Sequence, residues 1–294
     1  MKRILLSILM VLLLVIPALA TDYYAQTSAQ NINTASLWNT NPAGGGTDLV
    51  WANIQAGDNL YANGKTAIAI NVSFNIGTGK ISTEAGAGTA GGDFITVNAT
   101  AITVVANIVS GTTTCFAPVA STGIITWTGN ITGGVAANAR GVYLNTSDNT
   151  LNLTGNVTGG SAISAYGIQN NQASIVAVTG NVTGGSYSPS SWGLYNSGTG
   201  ISSITGSAIG GSAAGADGAR SVGSGAITIT GFMANTATSV GASGRIVYSP
   251  DDATKFITFG ATKYPAQLTA GNVKKDVVHG DVTGTFAGEG ASGF

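Results

Sequence analysis

The sequence predicts an all-β chain wound as a parallel β-solenoid, and three observations carry that prediction. A Thr-Gly pair recurs with its glycine at Gly129, Gly155, Gly180, Gly206 and Gly231, a period of 25 to 26 residues. A Gly-Gly pair follows on the same beat at 133/134, 159/160, 184/185 and 210/211. Between the glycines, apolar residues alternate with Thr, Asn and Ser, the pattern of strands with one buried face. Fixed self-similarity at this period marks a chain in which each repeat is one coil stacked on the last.

Each element of the coil follows from its column. Four residues before the Thr-Gly glycine stand Ile125, Leu151, Val176, Ser202 and Ile227. Two before it stand Trp127, Leu153, Val178, Ile204 and Ile229, and two after it Ile131, Val157, Val182, Ala208 and Met233. Columns that stay apolar from repeat to repeat predict like side chains stacked along an interior axis. A further strand reads as Gly141-Val142-Tyr143-Leu144, Gly167-Ile168-Gln169-Asn170 and Gly193-Leu194-Tyr195-Asn196. The corners are rich in Gly because positive φ is cheap only for Gly or Asn. After the Thr-Gly glycine come Asn130, Asn156 and Asn181, then Ser207. Amides stacked at one corner predict an asparagine ladder running from coil to coil. The same triplets match N-x-Thr glycosylation sequons, a match that any Asn- and Thr-rich repeat produces.

Upstream, Ile68, Ile70, Val72, Phe74 and Ile76 alternate, and Ile102, Val104, Ala106 and Ile108 resume the pattern. The predicted solenoid domain therefore spans 61–248. At this period it would hold about seven coils and reach about 35 Å. Solenoid ends expose strand edges and need covers. Residues 21–60, with Tyr23, Tyr24, Trp38 and Trp51, read as an N-terminal cap. Residues 249–294 hold Asp251, Asp252, Lys255, Lys263, Lys274, Lys275, Asp276 and the single histidine, His279, and read as a C-terminal cap or attachment module.

The first 20 residues read as a secretory signal peptide. Lys2 and Arg3 are followed by an apolar run from Ile4 to Ile16, then by Ala18-Leu19-Ala20, an A-x-A cleavage signal. The expected location is therefore secreted, at the cell surface or periplasmic, with no membrane span after cleavage. The chain of 294 residues has 11 basic and 12 acidic residues, and 8% are charged. That balance supplies no basic field for nucleic acid. Cys115 is the sole cysteine, so no disulfide can form within the chain.

The corner Thr128-Gly129-Asn130-Ile131-Thr132-Gly133-Gly134, with one apolar column per strand, resembles secreted right-handed parallel β-helix proteins. Pectate-lyase-like enzymes, surface adhesins and phage tail fibres share that architecture. The segment Trp51 to Lys65 looks like the first turn of such helices, and Asn272 to Thr285 is similar to the tails of some bacterial and phage surface proteins. The resemblance implies a right-handed β-helix and leaves three roles open. These are a structural or adhesive element, a polysaccharide lyase or glycoside hydrolase, and a fibre-like structural protein. The enzymes it points to cluster acids for calcium or pair carboxylates. Between 121 and 247 the ionised residues are only Asp148, Asp217, Arg140, Arg220 and Arg245. Two acids three coils apart lie about 14 Å from each other along the axis, too far for a carboxylate pair or one calcium. Upstream, Lys80, Glu84 and Asp93 lie closer together in sequence and read as surface-loop residues. No catalytic constellation, metal site or cofactor is expected.

The best binding signal is aromatic. Arg140, Tyr166 and Trp192 each precede a mid-coil glycine, and Tyr143, Gln169 and Tyr195 each follow it by two. Tyr143, Gln169 and Tyr195 alternate with the inward Val142, Ile168 and Leu194, and all six side chains are expected to point outward. An exposed row of rings would stack on the sugars of a polysaccharide or cell-surface glycan. The competing expectation is that the rings stack on one another and cover the sheet. Low charge favours an uncharged partner, and the solenoid ends leave self-association open.

Overall fold

The structure is a computed structural model, and it forms a parallel β-solenoid. It describes residues 20–82, 94–96 and 101–110, then 114–230 with short gaps, and beyond them only strand backbones up to Thr283. The leader, Glu84, Asp93, Asp148, Asp217, Arg245, Asp251, Asp252, Lys255, Lys274, Lys275 and Asp276 lie outside the described residues.

One regular coil has three strands, Ile124–Thr128, Ile131–Thr132 and Val142–Leu144. The next coil repeats them as Thr150–Thr154, Val157–Thr158 and Ile168–Asn170, paired in parallel and in register. Leu151 pairs with Ile125, Leu153 with Trp127, Val157 with Ile131 and Ile168 with Val142. These columns are buried along their length, so the core is a set of like side chains stacked on an axis.

The Thr-Gly corner explains why the period is strict. Gly129, Gly155, Gly180 and Gly206 sit at φ +140 to +149. A Cβ on Gly155 would overlap the carbonyl oxygen of Gly129 in the coil below. Both the backbone angle and the close approach therefore demand glycine at the same point in each turn.

Four coils keep this plan, which corrects the expectation of about seven. Upstream, Ala101–Val109 runs straight through nine residues and pairs with both Ile124–Thr128 and Ile131–Thr132. No Thr-Gly turn divides it. Phe74–Ser82 is equally long and slips register against it between Asn75 and Lys80. The stack continues through these strands, but apolar alternation alone does not make a 25-residue module.

At the N-terminal end, Asp22–Ala25 stacks in parallel on Asn59–Tyr61 and pairs antiparallel with Trp38–Asn39. Ile32, Leu37 and Trp38 are buried there, and the Trp38 indole donates to the Ile32 carbonyl at 2.7 Å. Toward the other end, Phe256–Phe259 adds to Met233–Asn235 in parallel and folds back antiparallel on Thr262–Pro265. His279 lies in a two-strand antiparallel pair, Val278–His279 with Val282–Thr283. Among the described residues no helix is long and apolar enough to cross a membrane.

The interior also holds asparagines that the sequence reading places only as strand residues. Asn170 and Asn196 occupy the column of Leu144 and are fully buried. Their amides donate to the carbonyls of Ser174 at 3.0 Å and Gly200 at 2.7 Å, tying the strand to the following corner. Such pairing is what lets a polar side chain occupy a core column.

Candidate functional site: an arginine-aromatic strip

The second sheet carries the strip on its outer side. Tyr143, Gln169, Tyr195 and Arg220 stand in register on its consecutive strands. Arg140, Tyr166 and Trp192 lead into the first three of those strands, each followed by a glycine. A Cβ on Gly167 would lie 2.6 Å from the carbonyl oxygen of Gly193, so these coils approach too closely for a side chain there. That approach draws the flanking rings together.

The rings pack on one another. Tyr166 and Trp192 stack with centroids 5.3 Å apart and planes 15° from parallel. Tyr195 closes on both, at 5.2 Å from Tyr166 and 4.8 Å from Trp192. Tyr166 keeps only 9% of its surface and Trp192 only 7%. Of the two expectations, this is the one in which the rings stack on one another and cover the sheet. Spacing near 5 Å between coils is stacking distance for aromatic rings, so neighbours take the faces that a sugar would need.

Arginines close both ends of the stack. The Arg140 guanidinium carbon lies 4.2 Å from the Tyr143 centroid and 5.8 Å from that of Tyr166. That of Arg220 lies 4.4 Å over Trp192. A guanidinium against an aromatic face is a favourable cation–π contact. Both arginine side chains stay partly exposed. Burial pulls the Arg140 pKa below its usual value, while the Tyr143 and Tyr166 phenols oppose that shift. Burial likewise pushes the Tyr166 phenol up from 10.0, against a hydrogen bond with Ser164 and the charge of Arg140.

The donors of the strip are incompletely used. Arg140 gives Nη1 to the Asn138 carbonyl at 3.2 Å, but its Nε has no acceptor. The Nε of Arg220 and the indole Nε1 of Trp192 also lack one. By contrast, the buried Trp127 indole donates to the Ala106 carbonyl at 3.0 Å. Beside the strip, Asn171 accepts from Gln169 at 2.8 Å and from the Ser197 hydroxyl at 2.7 Å, forming a polar margin. Arg220 and Asn171 are absent from the sequence-based site. The signal for Arg220 is Gly218, one period after Gly193, which sets Arg220 in the column of Tyr195.

The asparagines stand at the Thr-Gly corner of the long sheet. The Oδ1 of Asn130 accepts the backbone N–H of Asn156 at 2.9 Å, Asn156 accepts that of Asn181, and Asn181 that of Ser207. The run starts one coil earlier, with Asn107 accepting from Asn130 at 3.0 Å. Asn107 escapes the sequence pattern because no Thr-Gly pair precedes it. The bonds link amide to backbone rather than amide to amide.

No protein-family model, curated protein or solved structure matches this chain. Among the described residues no group of three or more His, Cys, Asp or Glu is placed to hold a metal ion.

Proposed function

We propose that this chain is a secreted or surface-displayed, non-enzymatic rod that adheres to acidic polysaccharide through the strip from Arg140 to Arg220. One observation carries the reading: the guanidinium groups of Arg140 and Arg220, both partly exposed, lie against the rings at opposite ends of the strip. Their Nε atoms are shielded by the neighbouring side chains, so a ligand meets the remaining guanidinium N–H groups, each such charge-assisted bond being worth about 1.5–3 kcal/mol. Carboxylate or sulfate groups are suitable acceptors, because a guanidinium binds them in its plane with charge-assisted bonds. The two arginines are about 14 Å apart along the coil axis, which suits a polymer with repeated charges better than a single small anion. The partner moves from uncharged to acidic glycan, since the ring faces are occupied while both arginines stay partly exposed.

The test is electrophoresis of the protein in native gels cast with polygalacturonate, dextran sulfate or neutral dextran. Retardation is expected in the two acidic gels and not in the neutral one. Arg140→Gln and Arg220→Gln should each weaken it about tenfold, the scale of one charge-assisted hydrogen bond. Equal mobility in all gels would overturn the proposal, as would retardation that both substitutions leave unchanged. Cleared zones after polysaccharide staining would replace it with the enzyme reading.

A further inference from the structure

A carboxylate is buried at the start of the solenoid. Asp58 keeps 1% of its surface, and both of its oxygens are engaged. Oδ1 accepts the backbone N–H of Thr21 at 3.0 Å, and Oδ2 accepts that of Gln55 at 2.9 Å. Thr21 is fixed from its other side as well, because the Asn59 N–H donates to its carbonyl at 2.9 Å. Ala20, immediately before it, is exposed. A Cβ on Gly57, which sits at φ +96, would lie 3.2 Å from that of Ala20, so the turn holds the chain closely at this point.

The residue whose nitrogen meets Asp58 is the one that follows Ala18-Leu19-Ala20. A carboxylate this deeply buried is poorly served by two neutral N–H donors, since a buried charge is stable mainly when it is paired and hydrogen-bonded. Hydrolysis of the Ala20–Thr21 peptide bond supplies the missing charge at an atom already in place. A signal-peptidase-type hydrolase adds water across the amide. The hydroxyl goes to the Ala20 carbonyl carbon and leaves a carboxylate, and the Thr21 nitrogen takes up protons and becomes an ammonium.

We propose that Ala20–Thr21 is the processing site and that Asp58 is the receptor for the new Thr21 α-ammonium. Processing then turns an amide hydrogen bond into an ion pair across the first rung, between Asp22–Ala25 and Asn59–Tyr61. The leader and the folded rod are thereby coupled. The unprocessed chain docks the segment through a neutral donor, and the processed chain locks it. This inference stands apart from the glycan-binding strip, which lies on other coils.

The experiment starts with the full chain expressed in a secreting host and mass spectrometry of the product. A mature N-terminus at Thr21 is expected, and any other would overturn the proposal. Thermal unfolding of that product is then compared with a chain that keeps Ala20 at its N-terminus. The Thr21 form should melt about 2–4 °C higher, the scale expected in a chain of this size when an amide hydrogen bond becomes charge-assisted. In Asp58→Asn the two forms should melt together. Equal melting of the two wild-type forms would overturn the proposal, as would a gap that survives Asp58→Asn. Should the variant not fold, acylation of the α-amine at neutral pH decides. A Thr21 amine held by Asp58 reacts at least tenfold slower in the folded protein than after denaturation, and equal rates would overturn the proposal.

Discussion

Along the long sheet one outward column reads Thr128, Thr154, Thr179 and Thr205, one exposed threonine on each coil. On the second sheet the outward column reads Tyr143, Gln169, Tyr195 and Arg220, with Arg140, Tyr166 and Trp192 beside it. Both columns ride on the same coils and share their register. The first repeats one residue type, and its neighbours across that face are Ile, Asn, Ser, Thr and Ala, none of them charged. The second changes at each step. Where the coil alone sets the choice of residue, the column stays uniform, because each rung offers the same environment. Where it varies at fixed register, the coil supplies only the placement. The second sheet therefore carries the individual chemistry of the molecule, and the threonine face carries its repetition.

The largest effect that tests this contrast is Trp192→Ala. It removes the ring packed between Tyr166, Tyr195 and Arg220 and should lower stability by about 3 kcal/mol, at the low end for a large buried aromatic. Thr179→Ala, on an exposed column, should change stability by no more than about 0.5 kcal/mol. Urea unfolding of both variants gives the comparison. Similar losses would mean that the two faces are not energetically distinct.

Asn156→Ala is next. It deletes the acceptor for the Asn181 N–H and should cost about 1 kcal/mol, the net worth of one such bond. The corner is exposed, so water replaces part of the lost bond. Hydrogen exchange at Asn181 is the direct readout. Protection there should fall while the amides of the interior strands keep theirs. Unchanged protection at Asn181 would show that the corner is held by its glycines alone.

How far each feature can be read from the sequence follows from its periodicity. The inward columns of Ile125, Trp127, Ile131 and Val142 are legible because burial imposes the same demand on each coil. The coil count is not, because the nine-residue strand Ala101–Val109 shares the alternation but lacks the turn. For the strip, the placement of Arg140, Tyr166 and Trp192 is legible from the glycine beat. Their burial is not, since it depends on how rings from adjacent coils meet across a gap that glycine narrows. Arg220 illustrates the remaining difficulty: its column changes residue type on every strand, so only register identifies it.

The smallest predicted effect is the dependence of stability on high pH. Burial within the stack raises the Tyr166 phenol above the ordinary value of 10.0, with Tyr195 adding to the rise and Ser164, Arg140 and Arg220 opposing it. The folded chain therefore prefers the neutral phenol. Its contribution is complete below pH 10, where the phenol is neutral in the folded and unfolded chains alike. Above that value the unfolded chain loses the proton first, and the contribution fades as pH rises through the raised folded value. Tyr166→Phe keeps the ring in the stack and removes the ionisation. Melting temperatures measured from pH 8 to 11 should fall less steeply for this variant than for the parent chain. A second raised phenol, Tyr61, lies beside Tyr24 and Lys80 near the N-terminal end, so part of the fall should persist. Parallel curves for the two proteins would mean that the Tyr166 hydroxyl reaches water freely, and the closed stack would then have to be redrawn as an open one.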